Sequence, residues 1–221
     1  MKVLIFIPAP RLIPEVVNAI KELPDDKLWM KYFQQTEAYT RARDFFLSRN
    51  YTHLCILPDD LIVTPKDYDN LITDLMQRDF PVVSGACNVD TGDYKDCLNV
   101  SIDDLINPNS PPADHFKKWV NLRYDYMGYL KSAPLQRVMY SGFPLMFIRR
   151  DVVEKIPFRD YKGCCIDATF CADCAMLEVA IWVDFRVIMK HLKIDNVNVD
   201  NSFGTGIKLA QEVFESDSRH D

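Results

Sequence analysis

Short apolar runs alternate with amphipathic segments along the first 85 residues of the chain. Residues 3–7 form a continuous run of β-branched and apolar side chains before Pro8, a pattern typical of a strand buried on both faces. Residues 14–23 place apolar side chains on one side of a helix that starts at a proline. The same criteria predict strands at 28–33, 53–57 and 80–84 and helices at 36–49 and after Thr64. This alternation predicts a mostly parallel sheet with right-handed crossovers.

The helix after Thr64 has the clearest start signal in the chain. Thr64 is a good capping residue, Pro65 suits the first helical position, and Asp67 is an acid three residues after the cap. We therefore expect a reciprocal capping arrangement at this helix.

The second part of the chain is less regular. Residues 87–131 show no clear period and contain a proline-rich loop at 107–112. An aromatic group at 119–129 follows, which would form either a small core or a platform for a sugar ring. Regular elements return as strands at 135–140, 145–148, 181–183 and 187–189, a short helix from Asp151 and a longer helix at 167–179.

The composition is that of an ordinary globular protein of 221 residues, with 48% hydrophobic and 26% charged residues. The formal net charge of −6 argues against a broad surface for nucleic acid. No apolar run reaches the roughly 18 residues needed for a transmembrane segment, and the opening residues do not form a secretory signal. Seven cysteines, an odd number, do not suit a disulfide framework. We therefore expect a reduced, cytoplasmic protein.

Two adjacent carboxylates, Asp59 and Asp60, follow the predicted strand at 53–57. Ligands collect at the carboxyl ends of strands in open α/β sheets, and hard divalent cations prefer oxygen ligands. The sequence has neither Gly-x-Gly-x-x-Gly nor Gly-x-x-x-x-Gly-Lys, so a phosphate would have to be held in another way, such as by a metal. The alternative is that the two acids form a polar loop before the cap at Thr64.

Four segments, taken in order, resemble the GT-A fold glycosyltransferases of the family 2 type. They are Leu-Ile-Phe-Ile-Pro-Ala-Pro-Arg at 4–11, Ala-Arg-Asp at 42–44 followed by Leu-Cys-Ile-Leu-Pro-Asp-Asp at 54–60, the glycine turn and Arg-Arg helix start within 141–153, and the acid-bearing helix start at 166–171 with a later strand and His191. Such enzymes move a sugar from a nucleotide-diphosphate donor to an acceptor hydroxyl. The resemblance implies a Rossmann-like α/β fold in which helices flank a mixed, mostly parallel central sheet.

The same resemblance implies one domain over residues 1–214, with a nucleotide-binding half at 1–85, an acceptor-side half at 86–195 and a polar tail at 215–221. Asp167, at a helix start that keeps a carboxylate ionised, would be the general base of an inverting transfer.

The resemblance also implies a set of ligand contacts. Asp60 and His191, with Asp59, would hold Mn²⁺ or Mg²⁺ at the donor phosphates. The remaining predicted contacts are Pro8, Ala9, Arg11, Arg43 and Asp59 for the nucleotide, and Ser141, Gly142 and Phe143 for an acceptor that the motifs do not identify.

Alternatives stay open at several of these positions. Pro58 stands where the family has the first acid of its Asp-x-Asp motif, which suits a nucleotide-sugar-binding module with reduced catalysis. A nucleotidyltransferase shares the nucleotide-binding core, although it normally carries a glycine-rich loop with Arg or Lys after the first strand. Asp167 could serve only as a helix cap, His191 as a structural histidine, and Arg43 as a solvated helix residue.

Cys164, Cys165, Cys171 and Cys174 lie close together in the sequence. The spacing of the last two is that of a zinc knuckle, and it also places both on one face of a helix. A zinc site, a disulfide and simple core packing are all compatible with this pattern.

Overall fold

The computed structural model describes residues 1–9, 11–31, 35–87, 97–101, 122–123, 133–161 and 165–192. In chain order its elements are β1 (Val3–Pro8), α1 (Pro14–Lys21), β2 (Asp26–Met30), α2 (Gln35–Leu47), β3 (His53–Ile56), β4 (Leu61–Ile62), α3 (Pro65–Arg78), β5 (Val82–Cys87), β6 (Cys97–Leu98), β7 (Val100–Ser101), β8 (Leu122–Arg123), β9 (Leu135–Val138), β10 (Tyr140–Ser141), β11 (Met146–Arg149), α4 (Arg150–Lys155), α5 (Ile166–Met176) and β12 (Ile181–His191).

Among the described residues, eight strands form the main sheet in the order β2-β1-β3-β11-β5-β12-β4, and β9 also pairs with β12. β1 pairs in parallel with β2 and β3, and β5 pairs in parallel with β12. β11 lies between β3 and β5 and is antiparallel to both, so β5 keeps the direction of β3. Five strands therefore point the same way, and the predicted α/β class with a mostly parallel central sheet is confirmed.

Helices cover both faces of this sheet, because successive side chains of its strands face two different apolar cores. In β1, Leu4 and Phe6 face a core that includes side chains of α2, α4 and α5. Val3, Ile5 and Ile7 face a second core that includes side chains of α1 and α3. This is the arrangement that a continuous apolar run predicts for a strand buried on both sides.

The capping arrangement predicted at α3 is confirmed. Thr64 Oγ1 accepts a hydrogen bond from the Asp67 N–H at 3.2 Å, and the Asp67 carboxylate accepts one from the Thr64 N–H at 3.0 Å. α2 begins at Gln35, one residue before the predicted start of this helix.

β12 is one strand where the sequence predicts two short ones. Its pairing with β5 shifts register between Val183 and Ile188, which marks a bulge. The bulge contains the fully buried Asp184 and also Arg186, whose Nη2 lies 2.8 Å from Asp184 and 2.8 Å from Asp74 of α3. These contacts satisfy two acids that would otherwise be costly to bury.

β5 continues through Gly85 to Cys87, beyond the predicted end at residue 84. A Cβ at Gly85 would lie 2.8 Å from Val187 Cγ1 and 2.9 Å from Met189 Cε. The glycine therefore permits the close approach of β5 and β12.

No helix in the described parts of the chain is both long and apolar enough to cross a membrane. The proline-rich loop at 107–112, the aromatic side chains of the group at 119–129 and the tail at 215–221 lie outside the described residues.

Candidate functional site

The carboxyl ends of the five co-directional strands border a cleft of about 460 Å³. Each of these strands provides a lining residue at its end or shortly after it, namely Pro8, Met30, Pro58, Cys87 and His191. A cavity of this size suits a small-molecule ligand. Its position is the one in which open α/β sheets bind their ligands.

Asp60 and His191 meet in this cleft because β4 pairs with the end of β12. His191 lies opposite Leu61 in the antiparallel ladder, and the Leu192 N–H donates to the Asp60 carbonyl at 2.7 Å. These contacts bring His191 Nε2 to 3.2 Å from Asp60 Oδ2. The structure thus brings together the two residues that the motif order assigns to a cation.

Arg11 lies between the two neighbouring acids. Its backbone N–H donates to Asp59 Oδ2 at 2.6 Å, and its Nη2 donates to Asp59 Oδ1 at 2.8 Å and to Asp60 Oδ2 at 2.6 Å. The side chain of Asp59 is only 5% exposed, whereas that of Arg11 is 43% exposed. Both oxygens of Asp59 are therefore occupied by Arg11, and this acid anchors Arg11.

The two carboxylates differ in their affinity for a proton. Burial raises the pKa of Asp59, and the hydrogen bonds and charge of Arg11 offset only part of that effect. Burial acts in the same direction on Asp60, but its hydrogen bond with His191 and the charge of Arg11 outweigh it, so the pKa of Asp60 lies below its usual value. Asp60 is therefore the more readily ionised of the two, and its side chain is also the more exposed, at 15% against 5%.

Asp60 and His191 fit a divalent cation as a pair of ligands. Neighbouring ligands of an octahedral ion bound at about 2.1 Å are about 3 Å apart, and Asp60 Oδ2 and His191 Nε2 are separated by 3.2 Å. Over the described ranges no group of three or more His, Cys, Asp or Glu side chains could hold a metal. The other ligands would therefore be phosphate oxygens or water, as is usual for Mg²⁺.

Asp167 lines the same cleft from the first turn of α5. Its Oδ1 accepts a hydrogen bond from the Ala168 N–H at 2.7 Å, and its Oδ2 accepts one from the Tyr140 hydroxyl at 3.1 Å. The N-cap position of α5 belongs to Cys165, so Asp167 is not the cap of this helix. The two contacts orient a half-buried carboxylate at a helix N-terminus, where its charge is stabilised.

Asn99, which no sequence motif singles out, also lines the cleft. Its N–H donates to the Cys87 carbonyl at 2.9 Å, and its own carbonyl accepts from the Gly142 N–H at 3.1 Å. A Cβ at Gly142 would lie 2.0 Å from Asn99 Nδ2 and 3.6 Å from Asp167 Oδ2. The glycine therefore leaves the space in which the Asn99 amide lies near Asp167. The nearest sequence signal for this contact is Gly142 itself.

The other predicted contacts divide into two groups. Pro8, Ala9 and Phe143 line the cleft together with Arg11. Ser141 is fully buried behind it, with its hydroxyl directed to Ser84 at 3.4 Å.

Arg43 does not line the cleft. Its guanidinium donates to the carbonyls of Val153 at 2.9 Å and Glu154 at 3.0 Å, in the last turn of α4. Carbonyls at the end of a helix lack partners within the helix, and Arg43 satisfies them from α2. Its contacts are thus those of a residue that joins two helices.

The cysteines near α5 have different surroundings. Cys171 and Cys174 are buried in the apolar core, and Cys165 is exposed beside the cleft. All three are free thiols. Cys171 and Cys174 thus pack into the core from one helix face, and Cys164 lies outside the described residues.

Comparison with known proteins shows a similar chain course in solved structures. A197 from STIV superimposes with a TM-score of 0.61 and 16% sequence identity, over 87% of this chain and 86% of that one. At this identity the likeness shows the fold alone. No protein-family model matches the sequence, and no curated protein matches it.

Two structures with named activities are similar to a lower degree. CMP:2-keto-3-deoxy-manno-octonic acid synthetase complexed with CTP has a TM-score of 0.48 and 10% identity, over 96% of this chain and 100% of that one. The inositol-1-phosphate CTP transferase from T. maritima has a TM-score of 0.48 and 9% identity, over 92% and 95%. At this degree of likeness neither structure carries an argument about the activity of this chain.

Proposed function

We propose that the cleft binds a nucleotide through its phosphates and that the protein is a transferase. The observation that carries the proposal is the junction of Arg11, Asp60 and His191 at the carboxyl ends of parallel strands. A guanidinium and a carboxylate-bound divalent cation, Mn²⁺ or Mg²⁺, both neutralise phosphate charge. Such a cleft can hold a diphosphate without a glycine-rich loop.

Glycosyl transfer is the reaction that we favour. The acceptor hydroxyl would attack the anomeric carbon of a nucleotide-diphosphate sugar while the bond from that carbon to the diphosphate oxygen breaks. The hydroxyl proton would pass to Asp167, which is oriented by Tyr140 and lies at the start of a helix. A cation on Asp60 and His191 would supply charge neutralisation for the leaving diphosphate.

Nucleotidyl transfer is the second candidate. Arg11 favours it, since this basic residue follows the first strand and lines the cleft, as the basic residue of a nucleotidyltransferase loop would. In this reaction an acceptor oxygen attacks the α-phosphorus of a nucleoside triphosphate and pyrophosphate leaves. The absence of glycines after β1 counts against it.

The products separate the two reactions. We would first screen nucleotide sugars and nucleoside triphosphates, each with and without Mn²⁺, for a rise in melting temperature. Ligands that stabilise the protein would then be assayed with an acceptor panel. Release of nucleoside diphosphate supports glycosyl transfer, and release of pyrophosphate supports nucleotidyl transfer.

Two variants test the assigned residues. Asp60→Asn should abolish the Mn²⁺-dependent part of nucleotide binding, and Asp167→Asn should keep nucleotide binding and lose transfer. Asp79→Asn is a suitable control, because Asp79 is exposed and its φ of 48° suits asparagine. If no nucleotide in the screen stabilises the wild-type protein, the proposal is wrong.

A further inference from the structure

Arg11 places a positive charge where the proposed cation would bind. Its Nη2 lies 2.6 Å from Asp60 Oδ2, and His191 Nε2 lies 3.2 Å from the same oxygen. The guanidinium and the imidazole thus share one oxygen of a carboxylate whose side chain is 15% exposed. A charge-assisted hydrogen bond of this length is among the stronger polar contacts in proteins.

The backbone around Arg11 is held independently of the guanidinium. The Arg11 N–H donates to Asp59 Oδ2 at 2.6 Å, and the Ala9 N–H donates to the Met30 carbonyl at 2.9 Å. The backbone of Ala9 and of Arg11 therefore keeps its place when the side chain moves. The exposed side chain of Arg11 borders the cleft, so its Nη2 can leave Asp60 while the contacts of the guanidinium with Asp59 keep it at the cleft, and no core residue is displaced.

We propose that Arg11 is a built-in counter-cation that competes with the divalent cation for Asp60. The inference rests on the proposed function, because the cation site is part of it. Without ligands the guanidinium neutralises Asp60, and the cation binds as Arg11 releases that carboxylate. The released guanidinium then faces a bound diphosphate, which offers it a new anionic partner. Cation and diphosphate binding are thereby coupled, since each favours the arrangement that the other needs.

The test is Mn²⁺ binding to the nucleotide-free protein, followed by electron paramagnetic resonance of the free ion or by calorimetry. Arg11→Gln removes the competing charge and should tighten Mn²⁺ binding about tenfold or more. Damage to a merely structural residue would not raise an affinity. Arg11→Lys retains the charge and should bind Mn²⁺ nearly as the wild type does. Arg11→Gln combined with Asp60→Asn should lose the gain.

Arg149→Gln is the matched control for loss of one positive charge. Arg149 also bridges two carboxylates, Asp151 at 2.6 Å and Asp79 at 3.1 Å. In the β11–β3 ladder it lies opposite His53, at the end of β3 that is remote from the cleft. Its substitution should leave Mn²⁺ affinity unchanged, and thermal unfolding of each variant checks that the fold is intact.

The outcomes separate this inference from the proposed function. Mn²⁺ binding by Arg11→Gln that equals or falls below the wild-type value would overturn the inference. The proposed function survives that result if nucleotide binding by the wild type still depends on Mn²⁺ and Asp60. If neither protein binds Mn²⁺, even with inorganic pyrophosphate present, then the cation assignment and the inference are both wrong.

Discussion

Substituting alanine for Gly142 tests whether the Asn99 amide contacts the substrate in the cleft. The φ of Gly142 lies outside the left-handed region, so an alanine backbone is allowed there. The new Cβ would lie 2.0 Å from Asn99 Nδ2 and 3.0 Å from its Cγ, while its 3.6 Å distance to Asp167 Oδ2 is an ordinary contact. Because the clashing atoms end a flexible side chain, we expect Asn99 to rotate away and the fold to persist.

The effect of this change on stability and its effect on activity can be estimated separately. Moving one side chain from its rotamer costs about 0.5–1.5 kcal/mol, so the free energy of unfolding should fall by about 1 kcal/mol. If the amide binds a neutral group of the substrate, its loss costs about 0.5–1.5 kcal/mol. That cost corresponds to a fall in kcat/KM of about 2- to 12-fold.

The assay compares kcat/KM and melting temperature for Gly142→Ala, Asn99→Ala and the double variant, with the donor found in the nucleotide screen. Both single changes remove the same amide from the same place. The double variant should therefore be no worse than either single variant. Unchanged kcat/KM in both single variants, or fully additive losses in the double variant, would refute the reasoning.

Three further predictions concern α3, the contact of β5 with β12, and the thiol beside the cleft. Thr64→Ala removes the α3 cap and should lower the free energy of unfolding by about 1 kcal/mol. Urea denaturation measures this against Thr73→Ala inside the same helix, and equal midpoints would contradict it. Gly85→Ala forces a methyl group against β12 and should lower the free energy of unfolding by about 1–3 kcal/mol. An unchanged urea midpoint would contradict this, because it would mean that β12 moves aside at no cost. Although Cys165 is exposed at the rim of the cleft, its thiol is partly desolvated, and this desolvation and then the charge of Asp167 raise the pKa of Cys165 to about 12. Alkylation of Cys165 should therefore quicken about tenfold per pH unit between about pH 7 and 11. Asp167→Asn should lower that pKa and speed alkylation at a fixed pH, as followed by peptide mapping with Cys165→Ser as the blank; a slower reaction would contradict the assigned charge.

The sheet can be predicted from the sequence wherever each element carries its own local signal. Up to residue 85 the buried strands are short apolar runs, and the helices have apolar stripes or caps. β12 lacks such a signal, because its bulge places the polar residues Asp184 and Arg186 between two apolar halves. Their partner Asp74 lies on α3, far away in the sequence, and no local pattern can report that pairing.

The site is predictable to the extent that it depends on strand ends. Asp60 follows β3 and His191 ends β12, so the topology alone brings them to one edge. Arg43 lies on a helix, where the direction of a side chain depends on which face packs against a neighbour, and it faces α4. Asn99 lies in a stretch without periodicity, and its backbone bonds to Cys87 and Gly142 bring it to the cleft.

The bulge in β12 determines to which face of the sheet each of the last side chains of this strand points. Alternate residues of a strand point to opposite faces, so adding one residue between Val183 and Ile188 would move Lys190 into the place of His191. The contacts of Arg186 with Asp74 fix the number of residues in the bulge. A charged cluster that does not line the cleft thus determines whether an imidazole or an ammonium group stands beside Asp60.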